Sequence, residues 1–393
     1  MVPSRPPSPQ RRVALLVEAS WAYTRGLVRG VARYNREQKH WSLYFTPHEA
    51  NSPPLAWLSA WDGDGILARI DNPALAEALL KTGLPVIDLR RSLPGLGLPT
   101  AGPDDAAVAR LAVAHLRERG FRHFGFLGLP RGQHPSMDAR AEHFARLVGE
   151  AGGSCSVLAV RGHRPLQEDW ERDLTRILRW IKKLPRPVGI MAGDDDRGVE
   201  LLDACRRAVV RVPDEVAVIG VGNDDCLCGL SLPPLTSIDL KPQRIGYEAA
   251  RLLDEMMATG QRTAPSLYIE PHGIVTRTST DVLATDDEAV IRAAQFIRAH
   301  ACQQIHVNDV LRHARTSRAV LEPRFKETLG RTIFQEIQRV RVERVKELLR
   351  STNAGLKQIS RQAGFSYPEH MMRVFRRATG QTPTAYRKSW RME

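Results

Sequence analysis

The densest chemistry in this chain sits where short apolar runs end. Residues 216 to 229, VAVIGVGNDDCLCG, pass from an apolar run through Gly220-Val221-Gly222 into Asn223-Asp224-Asp225. Asp194-Asp195-Asp196-Arg197 follows Met191 in the same way, and Tyr23-Thr24-Arg25 and Met137-Asp138-Ala139-Arg140 stand beyond two earlier runs. Carboxylates accept hydrogen bonds from hydroxyls while Arg and Asn donate them, which is the chemistry of a polyol clamp. Tyr23, Arg25, Arg140, Asp194, Asn223 and Asp224 are therefore the candidate ligand-binding residues. The same acids suit helix N-caps, as Asp194 does for Asp195 to Arg207, and residue type alone leaves cap and ligand contact equally open.

Other chemistries fit less well. A dinucleotide fingerprint needs a third Gly where Asp225 stands, belongs at the first βα turn, and would set Asp224 and Asp225 against a pyrophosphate. Cys226-Leu227-Cys228 is a single C-x-C without a second Cys/His pair, short of the four ligands a structural zinc needs. No G-x-S-x-G occurs and no Ser or Cys is locally framed with a His. No catalytic residue, cofactor or metal ion is expected.

The elements that must position these loops alternate. Val13 to Val17, Leu43 to Phe45, Gly65 to Ile70, Pro85 to Leu89, His123 to Leu127, Ser156 to Val160, Val188 to Met191 and Val216 to Val221 read as strands. Amphipathic stretches such as Thr24 to Arg36 and Asp104 to Arg119 lie between them. This order is the mark of parallel sheets with right-handed crossovers, and eight or more strands over about 270 residues predict two α/β lobes. Ligands in such folds sit beyond the carboxyl ends of the strands, where the candidate residues fall.

The chain has 393 residues, 42% hydrophobic and 26% charged, and a net charge of +13. Residues 285 to 393 hold 21 Lys+Arg against 11 Asp+Glu, so most of the excess lies in the last quarter. A basic unit on a nearly neutral body points to a polyanion partner. Five scattered cysteines fit reduced thiols, and no apolar run approaches a membrane span. Residues 1 to 10 read as a disordered tail without a signal segment, so a cytoplasmic location is expected.

From Asp286 onward the pattern is helical and duplicated. Phe325-Lys-Glu-Thr-Leu-Gly330-Arg-Thr332 returns as Phe375-Arg-Arg-Ala-Thr-Gly380-Gln-Thr382, fifty positions later. Each copy reads as a short helix, a three-residue turn, a Ser cap and a second helix. The second helices would present Ser317, Arg318, Ala319 and Glu322 in one copy and Glu369, His370 and Arg373 in the other to a major groove. Arg361, Arg376 and Arg377 suit phosphates. Arg331 to Ser351 reads as a connecting helix of about 30 Å, close to the ~34 Å between successive major grooves on one face of DNA.

GFSYPEHMMRVFRRATGQTPTAYR, within residues 287 to 390, resembles the signature of the AraC-type transcriptional regulators. VRVPDEVAVIGVGNDD, LPPLTSI and GDGILARIDN resemble the LacI-type, periplasmic-binding-like fold, and the combination is similar to the xylose operon regulators. The resemblance implies a periplasmic-binding-like sugar-effector domain over 11 to 283 and an all-α, AraC-type DNA-binding domain with two helix-turn-helix motifs over 286 to 391. It implies double-stranded promoter DNA, a monosaccharide effector such as xylose, a homodimer and RNA polymerase as partners, with no membrane and no catalysis. Arg140 matches a sugar-contacting arginine of that fold, and Asp194 falls where the fold often has an Asn. The family's loop commonly has Asp at the position of Gly222, a contact that Asn223 or Asp224 would replace, and Pro323 stands where relatives tend to have Arg. Competing readings are an α/β enzyme with a helical appendage and a sugar-binding module whose basic tail docks a protein.

Overall fold

The computed structural model describes residues 10–38, 41–46, 56–93, 95–161, 167–281, 285 and 287–391. The expected tail, all but its last residue, and most of the junction near 283 to 286 lie outside them. The chain divides into two compact units, one of Met1–Val113 with His123–Asp281 and one of Ala114–Arg122 with Val282–Glu393.

The first unit begins with β1 (Arg11–Leu16), α1 (Ala22–Gln38), β2 (Trp41–Thr46), β3 (Gly65–Ala68), α2 (Pro73–Lys81) and β4 (Val86–Asp88). Then come β5 (Ala101–Pro103), α3 (Asp105–Arg117), β6 (His123–Gly128), α4 (Pro135–Glu150), β7 (Ser154–Ala159) and α5 (Gln167–Lys183). It continues with β8 (Val188–Ala192), α6 (Asp195–Arg207), β9 (Val216–Val221), α7 (Asp225–Leu230), β10 (Thr236–Asp239), α8 (Pro242–Thr259), β11 (Leu267–Ile269) and β12 (Gly273–Val275).

Two main sheets make two lobes. One is four-stranded and parallel in the order β2-β1-β3-β4; the other is six-stranded in the order β12-β10-β9-β8-β6-β7, with only β12 antiparallel. Residues of β1, β3, β8 and β9 are buried on both faces, which explains their unbroken Val/Ile/Leu/Ala runs. After β10 the chain crosses back, because α8 packs on α1 while β12 returns to the larger sheet. The α1–α8 contact is made backbone to backbone: a Cβ on Gly30 would stand 2.0 Å from the Gln243 carbonyl oxygen, and one on Gly246 would stand 2.1 Å from that of Leu27. Asp254 of α8 ties this packing to the sheet, accepting from Arg11, Tyr34 and Trp41.

The second unit contains α9 (Glu288–His300), α10 (Val307–Ala314), α11 (Arg318–Leu329), α12 (Ile333–Ser351), α13 (Leu356–Gln362), α14 (Pro368–Thr379) and α15 (Pro383–Arg391). It has two cores joined by α12, which gives Ile333 and Ile337 to the first, with Val310, Leu321 and Phe325. It gives Val342, Val345, Leu348 and Leu349 to the second, with Ile359, Phe365, Met371 and Phe375. Glu336 of α12 is fully buried between Arg331, 2.5 Å away, and Arg339, 2.8 Å away.

Two local expectations change. The Ser317 side chain makes no capping bond at the start of α11, and α14 is capped one residue later than Ser366, at Tyr367. The cause is Pro368, whose fixed φ and missing N–H place it at the first helical position. The interior Pro323 does not break α11, which runs unbroken through it.

Candidate functional site

The carboxyl ends of both sheets border one cleft of about 740 Å³ within the first unit. Four of the six predicted ligand residues line it: Tyr23, Arg140, Asp194 and Asp224. Arg25 does not; it is exposed on α1 and donates back to the Ala19 and Ser20 carbonyls. Asn223 does not line it either, with a left-handed φ of 54° and its side chain accepting from Arg277 at 2.9 Å.

Each acidic loop turns out to do two things. Asp194 caps α6 by accepting from Arg197 N–H, Asp224 caps α7 by accepting from Cys226 and Leu227 N–H, and both line the cleft. Arg140 is buried, donating from Nε to Asp105 at 2.8 Å and from a terminal nitrogen to the Gly193 carbonyl at 2.8 Å. Asp105 accepts from Arg91 as well, at 2.7 Å. Burial pushes the Tyr23 hydroxyl up to about 12, so it reaches the cleft protonated and able to donate.

Asp195 lies beneath the loop of residues 220 to 224. It accepts from Ser237 Oγ at 2.5 Å and from Asp224 N–H at 2.8 Å, and it occupies the space a side chain at Gly220 or Gly222 would fill. A Cβ on Gly222 would stand 3.1 Å from Asp195 Oδ2, and that Gly has a φ of +130°. Burial, aided by the neighbouring Asp194 charge, raises Asp195 to about 7, against the two hydrogen bonds that favour its anion. A carboxyl whose folded pKa is raised adds most stability below its unfolded value near 4 and loses it as pH rises through about 7. Thermal unfolding of the first unit should accordingly show a decline in midpoint between about pH 4 and pH 7 that Asp195→Asn flattens; a slope unchanged by that substitution would remove Asp195 as its source.

Several cleft residues escaped the reading of the sequence: Arg69 after β3, Arg90 and Arg91 after β4, His134 before α4 and Tyr268 in β11. Arg90 and Arg91 follow the run read as Pro85 to Leu89, where the strand-end rule looks, whereas Arg69 fell inside the run read as Gly65 to Ile70, because β3 ends two residues sooner, at Ala68. His134 caps α4 and lines the cleft, and burial followed by the Arg140, Arg90 and Arg69 charges holds its imidazole down at about 3.

In the second unit, Ser317, Arg318, Ala319, Arg361, Glu369, Arg373, Arg376 and Arg377 are exposed. His370 is half-buried, with its ring edge-on to Phe365 at 5.6 Å. Glu322 is engaged otherwise: one oxygen accepts from Ile333 N–H at the start of α12, and the other faces Arg318 at 3.3 Å. Gly364 turns the chain between α13 and α14 with φ +78°, against the Ala301 carbonyl, where a Cβ would have 2.7 Å. Arg341 donates to that same carbonyl at 2.8 Å and lies over the Phe365 ring, so α12 holds the turn that aims α14.

Among the described residues no helix is long and apolar enough to cross a membrane, and no group of three His, Cys, Asp or Glu could hold a metal ion.

Residues 12–94 match the family described as XylR N-terminal domain, residues 113–280 that described as Periplasmic binding protein-like domain, and residues 310–389 that described as Helix-turn-helix domain. The chain is 31% identical over 386 residues to the xylose operon regulatory protein of Escherichia coli (strain K12), covering 96% of this chain and 97% of that one. It is 31% identical over 384 residues to the protein of the same name from Haemophilus influenzae, covering 96% and 98%. Among solved structures, a xylose-binding transcription activator matches at 30% identity and a TM-score of 0.62, over 97% of this chain and 98% of that one. A LacI family transcriptional regulator from Enterococcus faecium with bound ribose shares the fold, at 19% identity and a TM-score of 0.57, over 70% of this chain and 100% of that one.

These findings correct the AraC-type assignment of the C-terminal unit and the AraC-type double reader built on it. The matched family there is a helix-turn-helix domain, and the relatives are xylose operon and LacI-type regulators, so the fold is a two-lobed periplasmic-binding-like domain followed by a small all-α helix-turn-helix domain. The physical reason is that a tight glycine turn ahead of a basic second helix meets the needs of groove docking in any such domain, and so fixes the element without fixing its lineage.

Proposed function

The chain belongs to the family of the xylose operon regulatory proteins, ligand-responsive DNA-binding regulators of transcription, and from that premise we propose that it is an activator responding to a monosaccharide such as xylose held in the cleft. The observation that carries this reading is the cleft itself, where Tyr23, Arg140, Asp194 and Asp224 converge from the strand ends of two lobes with both donors and acceptors for hydroxyl groups. Membership of a regulator family makes the enzyme reading unnecessary. Ligand acts by binding one arrangement of the lobes more tightly than another, and a homodimer would pass that bias to promoter half-sites.

DNA contact is assigned to the exposed face of α14, with Arg361 of α13 beside it. Glu369 and Arg373 are one helical turn apart at its start, where they would face base edges, and Arg361, Arg376 and Arg377 would meet phosphates. Gel shifts of the full chain on fragments upstream of sugar-catabolic genes test this. Arg376→Ala is expected to weaken every fragment alike and to reduce the dependence of log K on log salt by about one, whereas Arg373→Ala should cost about 1–3 kcal/mol on the preferred fragment alone. Absence of salt-dependent DNA binding across the fragments would refute the assignment.

A further inference from the structure

Two methionines stand side by side in α14 and are placed oppositely. Met371 is fully buried in the second core with Phe375, whereas Met372 is exposed and neither core of the helical unit includes it. The inward side of the helix is occupied by Met371, Val374 and Phe375. On a helix that turns about 100° per residue, the exposed residues Glu369, Met372, Arg373 and Arg376 fall within an arc of about 100° on the other side. Met372 is the apolar member of that set, and it lies among the groups assigned to base edges and phosphates.

A thioether has no hydrogen to donate and accepts only weakly. Pressed against the amino or carbonyl group of a base edge, it would strip water from that group and return no hydrogen bond, which is costly. The major groove offers one apolar feature that avoids this cost, the C5-methyl group of thymine. The flexible, unbranched side chain of methionine adapts readily to such a group.

We propose that Met372 is a specificity-determining residue that reads thymine, through contact of its side chain with the C5-methyl group of a base among the pairs faced by Glu369 and Arg373. The proposal rests on the assignment of α14 to DNA and sharpens it. Glu369 suits cytosine and Arg373 suits guanine by hydrogen bonding, and Met372 adds a thymine chosen by apolar contact.

The test is competition gel shift of the full chain on its preferred fragment, each thymine of the protected sequence being replaced singly by deoxyuridine, which removes the methyl group and nothing else. At the thymine that Met372 meets, replacement should weaken binding about fourfold, equivalent to the about 0.8 kcal/mol of one buried methyl-sized group. In Met372→Ala that loss should vanish, while the dependence of binding on salt stays the same because no phosphate contact is removed. Met372→Gln should exchange the preference at that base for adenine, whose N6 and N7 a glutamine amide meets bidentately. A side chain with only a structural role would leave that preference unmoved. Both substitutions lie outside the cores, so thermal unfolding of the variants should match that of the wild-type chain. A scan in which Met372→Ala removes no deoxyuridine loss overturns the proposal and leaves α14 as the reader. If Arg373→Ala instead binds every fragment as the wild-type chain does, the assignment of α14 falls, and the proposal with it.

Discussion

Arg140→Ala is expected to destabilise the sensor unit by about 3–5 kcal/mol and to abolish its response to ligand. The substitution leaves Asp105 buried with only Arg91 beside it and orphans the Gly193 carbonyl, the situation in which breaking a buried pair is most costly. Chemical denaturation of the full chain reads the first effect, and ligand titration under conditions where the variant remains folded reads the second. The double variant Arg140→Met with Asp105→Leu separates the two roles. It removes both charges of the buried pair but leaves the half-buried Arg91 without its carboxylate, so it should recover part of the stability and none of the binding; recovered binding would show that Arg140 only supports the cleft wall.

The second large effect lies in the helical unit. Glu336→Ala should cost that unit about 3 kcal/mol, because Arg331 and Arg339 would lose the carboxylate around which both are folded. Although burial opposes its charge, the bonds and charges of these arginines hold Glu336 down at about 2. A carboxylate depressed in this way contributes its stability above the unfolded pKa near 4.5 and loses it as pH falls through about 2, a span worth on the order of 3 kcal/mol. Acid therefore weakens the helical unit below about pH 4.5, after the protonation of Asp195 has strengthened the sensor unit between about pH 7 and pH 4. Calorimetry should show one transition rising as pH falls from about 7 to 4 and another falling as pH drops from about 4.5 toward 2; absence of the first contradicts the Asp195 assignment, and absence of the second contradicts that of Glu336.

The strand ends were legible because a parallel sheet buried on both faces writes nearly continuous apolar runs, and the polar residue that ends each run is forced to the rim. That logic led to four residues that line the cleft, Tyr23, Arg140, Asp194 and Asp224. It failed for Arg25 because a helix presents successive residues about 100° apart, so Tyr23 can face the cleft while Arg25 turns to solvent. Asn223 was lost to a contact 54 residues away, with Arg277, that no local pattern announces. The duplicated helices were visible as a repeat, whereas the role of Glu322 at the start of α12 depends on how α11 and α12 pack and is silent in the sequence. The family label assigned from the turn and the basic helix was wrong for a related reason, since those residues answer to the shape of a groove.

Gly222 and Asp195 together set a limit on how this sensor can change. The volume in which an acid at position 222 would begin is already faced by the Asp195 carboxylate, which also holds Ser237 and the Asp224 backbone. A mutation that adds the acid at 222 while Asp195 remains meets a steric and charge conflict, and one that removes Asp195 first unpicks the loop. A side chain at 222 thus has to push the Asp195 carboxylate aside by a few tenths of an ångström and to adopt a φ of +130°, so the reach of this loop toward a ligand is governed from beneath it.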